Sequence, residues 1–115
     1  MIKRFQFYLA AHHKQKLKTA MEWVKKVGIL MKPAIDDDCF SCIIRGRHDN
    51  YVVYIGKDGV ACSCPASRGH GYLCWHVIAV VLLFCLKKNP LCEKLIEWVL
   101  DYVEAPKKKV KALHK

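Results

Sequence analysis

Leu17, Ala20, Met21, Val24 and Val27 recur at three- and four-residue steps, a period that gathers them on one face of a helix over about residues 10–27, ended near Gly28. Lys14, Lys16, Lys18, Lys25 and Lys26 fall on the outer face of that helix. Pro33 and the run Asp36 to Asp38 break the pattern and predict a connection. Phe40–Arg47 and Tyr51–Gly56, rich in Ile, Val and Tyr, read as strands joined through His48, Asp49 and Asn50. Lys57, Asp58 and Gly59 make a second tight turn, and Val60–Cys62 begins a third short strand. Pro65–Tyr72 carries Pro65, Gly69 and Gly71 and reads as a loop. Cys74–Lys88 is apolar nearly all round, the signature of a helix at the centre of a core, and Asn89-Pro90 ends it. Leu91, Leu95, Trp98, Val99 and Tyr102 form the apolar stripe of a last helix, with Glu93, Glu97, Asp101 and Glu104 on its other side. Pro106 stops that helix and leaves a basic tail over 107–115.

At 115 residues the chain is one domain's worth of material, so residues 1–106 are expected to form a single domain. A hydrophobic content of 53% with 12 aromatic residues excludes a disordered chain. The longest uncharged run, Gly69–Leu86, has an apolar part of about half the roughly 20 residues a spanning helix needs, so no membrane segment is expected. The N-terminus starts basic, but its apolar stretch Phe5–Ala11 is short, contains Gln6 and runs into His12, His13 and Lys14. No export signal is read, which predicts a cytoplasmic, reducing setting.

In that setting clustered cysteines point to metal. Cys62-Ser63-Cys64, nine further residues, then Cys74-Trp75-His76 offer three thiolates and one imidazole, a tetrahedral set for structural zinc. A strand end and turn supply Cys62 and Cys64; a helix start supplies Cys74 and His76, where free amide N–H groups favour a thiolate. One zinc with four protein ligands leaves no open position for water, so the expected role is structural.

Here the chain resembles the SWIM-type zinc finger, whose pattern is C-x-C-x(n)-C-x-H. The likeness extends over Tyr51–Ile55, Gly59–Pro65 and Cys74–Val80, within about residues 40–86. The resemblance implies a hairpin leading into the first ligand pair, a helix opened by the second, and a module that binds DNA or protein. Such modules accompany transposase-like proteins, chromatin-remodelling ATPases, ubiquitin ligases and partners of recombinases. Two features depart from the pattern: His70 in the loop is an alternative imidazole ligand, and Trp75 stands where a small or basic residue is usual. The fold expected is α+β: a small antiparallel sheet with its zinc loop packed on a central hydrophobic helix and flanked by N- and C-terminal helices.

For Cys39, Cys42, Cys85 and Cys92 core filling is expected, with a disulfide among them or a second metal site as the alternatives. Only four Asn and Gln residues occur, as in proteins of hot-living organisms, where intracellular disulfides exist. His12 and His13 read as a solvated helix start, Trp23 and Trp98 as core, and the Asp36–Asp38 run as solvated.

Net charge is +10 with most of the basic excess at the two ends of the chain, which points to a polyanionic partner. The leading expectation is a zinc-stabilised module binding DNA, or RNA, with little sequence choice. Its phosphate contacts would come from Lys14, Lys16, Lys18, Lys25, Lys26, Arg45, Arg47, Arg68, Lys107, Lys108, Lys109 and Lys111. The alternative is a protein-interaction adaptor of a recombinase, viral or mobile-element complex, contacting its partner through Trp75 and the acidic face of the last helix. No Ser/His/Asp or Cys/His catalytic set and no phosphate loop stand out, so neither an enzyme nor a small-molecule substrate is expected.

Overall fold

The computed structural model describes residues 2–65 and 73–104. Its elements run α1 (Ile2–His12), α2 (Lys14–Lys26), β1 (Leu30–Ile35), β2 (Cys39–Arg45), β3 (Asn50–Gly56), β4 (Gly59–Cys62), α3 (Trp75–Leu86) and α4 (Leu91–Glu104). The four strands form one antiparallel meander in the order β1-β2-β3-β4. The architecture is α+β with flanking helices.

Alternation decides which face of the sheet is buried. Along β2, Phe40, Cys42 and Ile44 point inward while Cys39, Ser41 and Ile43 do not, and on β3 Val53 and Ile55 join the inner set. α3 has no polar face to keep wet and is covered by α2 on one side, α4 on another and the β3–β4 hairpin on a third. Val77, Ile78, Ala79, Val80 and Val81 are all at most 1% exposed. Phe84, near the helix end, meets Phe40 edge-on at a ring separation of 5.2 Å.

Three expectations are corrected. The helix expected over 10–27 is shorter, and a separate α1 precedes it. Phe5 and Leu9, four residues apart, bury one stripe of α1, and the backbone at His13 (φ −140°, ψ 40°) separates the two helices. His12 and His13 are therefore a helix end and a junction, with the His13 ring Nε2 3.3 Å from the Tyr8 hydroxyl. Lowering of the His13 pKa comes from burial first and then from Lys16 and His12 nearby.

The connection expected around Pro33 is strand β1. It lies at the sheet edge, where a residue lacking an N–H costs no ladder bond, and its register slips between Met31 and Ala34, with Lys32 at φ 48°. The Asp36 carboxylate then closes the β1–β2 turn by accepting from the Asp38 and Cys39 amides at 2.8 and 3.0 Å, which holds its pKa below the ordinary value.

Core filling fails for two of the remaining cysteines: Cys85 and Cys92 are joined by a disulfide. Asn89-Pro90 reverses the chain so sharply that the end of α3 and the start of α4 bring these two α-carbons to 4.9 Å. Cys39 and Cys42 remain free thiols on opposite faces of β2. Gly28 ends α2 as expected; its φ of +60° and the Val24 carbonyl, 2.7 Å from where a Cβ would stand, leave room for glycine alone.

Candidate metal centre

β4 runs antiparallel to β3 and delivers Cys62 at its last position. The next residue, Ser63, holds the departing chain to β3. Its amide donates to the Val52 carbonyl at 3.0 Å and its hydroxyl accepts from the Val52 amide at 2.9 Å. That pair of bonds carries the strand direction past Cys62 and sets Cys64 on the same side. From the other direction, Lys16 of α2 donates to the Leu73 carbonyl at 2.9 Å and pins the chain where it re-enters the core. Cys74 then occupies the N-cap of α3 in an extended conformation, and His76 lies in the first turn.

The ligand atoms of Cys62, Cys64, Cys74 and His76 all lie within 4.8 Å of one another. Bonds of about 2.3 Å at tetrahedral angles put sulfur ligands roughly 3.8 Å apart, so a small inward adjustment completes a zinc shell. All four residues are buried, with His76 only 5% exposed. Neither His76 ring nitrogen has a hydrogen-bond partner within the described structure. An imidazole removed from water without a partner costs on the order of 1–3 kcal/mol, and a metal bond supplies the missing partner. The ring is clasped between Tyr51 and Trp75, at centroid separations of 4.9 and 4.0 Å, which fixes its orientation.

The thiols are polarised for the same job. The Cys62 thiol donates to Cys74 and lowers its pKa, against the opposing effect of burial, while His76 and the Val77 amide add to the lowering. Cys62, as the donor, is raised in turn. Cys74 stands at the helix N-terminus, where the amide dipoles favour a thiolate.

Residues 51–85 match the SWIM zinc finger family. This segment is a SWIM zinc finger. The match begins in β3 and ends in α3, so the SWIM unit takes in the β3–β4 hairpin, the four candidate ligands and the central helix; α1, α2, β1, β2 and α4 are built around it. The SWIM quartet is positioned to bind one zinc ion. No curated protein and no solved structure is similar enough to the chain to be matched with it.

The other residues singled out in the sequence divide into separate places. Lys14, Lys18 and Lys25 form one exposed stripe on the outer face of α2. Lys26, Arg45 and Arg47 gather instead around Trp75, lining a recess of about 270 Å³ between α2 and the β2–β3 turn. Trp23 forms part of its wall and donates its indole N–H to the Arg45 carbonyl at 2.7 Å, tying α2 to the end of β2. Lys16 has the internal role given above. Arg68, Lys107, Lys108, Lys109 and Lys111, with His70, lie outside the described residues. Trp75 is half-buried rather than fully presented to a partner. The acidic residues of α4 are exposed as expected, and Glu104 pairs with Arg4 of α1. Among the described residues, no helix is long and apolar enough to cross a membrane.

Proposed function

We propose that this zinc-stabilised SWIM module binds DNA through its phosphates and with little sequence choice. The observation carrying this reading is the grouping of Arg45, Arg47 and Lys26 around Trp75, next to the metal-ligating start of α3. Zinc fixes that start, and so holds a cationic, aromatic-floored surface in place. The lysine stripe of α2 extends the positive field beside it. The cations around Trp75 stand at the end of α2, at the end of β2 and in the β2–β3 turn rather than along one helix face, which favours contact with the backbone over base readout. The module is not an enzyme on this reading: a metal with four protein ligands has no position left for a substrate or an activated water.

A salt titration tests the reading. Each neutralised phosphate of duplex DNA contributes about −0.9 to the slope of log affinity against log salt. The triple variant Lys26→Gln, Arg45→Gln, Arg47→Gln is expected to weaken binding to all duplex sequences alike and to flatten the slope by about 2.7. Unchanged affinity and slope in that variant, or no binding by the wild type at 50 mM salt and micromolar protein, would contradict the reading and favour a protein-interaction adaptor.

A further inference from the structure

We infer that the recess beside Trp75 receives one unpaired base, so that the protein prefers a single strand to a duplex. This rests on the nucleic-acid reading above and sharpens it. A duplex offers a protein of this kind a row of phosphates, and a flat or convex cationic surface is enough to meet them. Here the surface is concave. The recess has Trp75 and Trp23 in its walls, Arg45 and Arg47 on one rim, and Thr19, Glu22 and Lys26 on the α2 side. Its volume of about 270 Å³ is at the bottom of the range of small-molecule sites, on the scale of a single heterocycle.

Three observations orient a strand in it. Trp75 is a fixed platform, because its ring lies over His76 at 4.0 Å with an interplanar angle of 31°, and His76 is held by the metal quartet. Bases stack on such platforms regardless of sequence, which agrees with binding that has little sequence choice. Positive charge is weighted to the turn side: the two arginines there attract a phosphate, while on the α2 side Lys26 is set against Glu22, the one acidic residue among the described residues lining the recess. The backbone therefore runs along the β2–β3 turn and the base points toward α2. Finally, the Trp23 indole bond to the Arg45 carbonyl keeps the two walls in register, so the recess exists before the strand arrives.

A paired base reaches this recess only after leaving its stack, and a single strand has no such barrier. The test uses the full-length, zinc-loaded protein with a labelled 12-nucleotide DNA strand and with the same strand annealed to its complement, both in 100 mM salt. The single strand is expected to bind at least tenfold more tightly. Trp75→Leu is expected to weaken single-strand binding by about 5- to 150-fold, the range of one lost base stack. Because Trp75 adjoins a metal ligand, a second variant, Thr19→Trp, fills the recess from α2 without touching the quartet; zinc content is measured for both. Thr19→Trp is expected to reduce single-strand binding selectively while zinc content stays at the wild-type level. Equal affinity for the two DNA forms, or a preference that survives Thr19→Trp, would overturn the base-binding recess and leave phosphate binding standing. Absence of binding to both forms would overturn both readings.

Discussion

His76 combines two properties that oppose one another in a metal-free protein: it is buried, and neither ring nitrogen is hydrogen-bonded within the described structure. Its neighbours Tyr51 and Trp75 orient the ring without offering it a partner, so the fourth ligand is prearranged by packing. The four ligating side chains were legible in the sequence because ligand spacing is a local pattern. Ser63 and Lys16 were not recognisable as supports of the site, since each acts on backbone groups, of Val52 and Leu73, that become neighbours only after folding. Among the free thiols, Cys42 differs from the quartet in having burial alone, which pushes its pKa up to about 12. It is therefore neutral and shielded at pH 8. Treatment of the native protein with iodoacetamide at that pH is expected to leave Cys42 unmodified and to modify it fully after denaturation, as read by peptide mass spectrometry. Rapid labelling of Cys42 in the native state would contradict its placement on the inner face of β2.

At the scale of elements, periodicity showed the long, strongly patterned pieces and missed those stabilised by context. The strands β2 and β3 and the helices α3 and α4 follow from alternation or from an apolar run. β1 has no alternation to detect: its residues are half-buried or exposed, it contains Pro33, and pairing with β2 makes it a strand. α1 depends on two buried residues, Phe5 and Leu9, too few to stand out in a short segment. The turn between α3 and α4 was placed correctly at Asn89-Pro90, but the covalent link across it needed the approach of Cys85 to Cys92 in space. That short loop gives the disulfide a modest effect, on the order of 2 kcal/mol in the chain-entropy account. Paired replacement of Cys85 and Cys92 by Ser is expected to lower unfolding free energy by about that amount and to leave zinc content unchanged, as measured by denaturant titration and elemental analysis. Loss of zinc in the double variant would show that the α3–α4 staple, and not the four ligands alone, governs the metal centre.

Over the whole molecule the metal centre and the hydrophobic core are one structure. All four ligands are buried, two of them open the helix against which α2, α4 and the β3–β4 hairpin pack, and the remaining two lie at and just beyond the end of β4. A chain of 115 residues supports only a small core, and a bound zinc adds folding free energy that such a core lacks. The charge pattern read from the sequence placed lysines on α2, but which of them share a surface with Arg45 and Arg47 depends on how α2 docks against the β2–β3 turn, a tertiary property. The most direct measurement is zinc stoichiometry by native mass spectrometry on wild type and His76→Ala, with thermal unfolding followed on the same samples before and after chelation. The wild type is expected to carry one zinc per chain and to lose its cooperative transition when the metal is removed, and His76→Ala to bind zinc weakly and melt at lower temperature. A wild-type protein that folds cooperatively without zinc and takes up none when it is supplied would contradict the account.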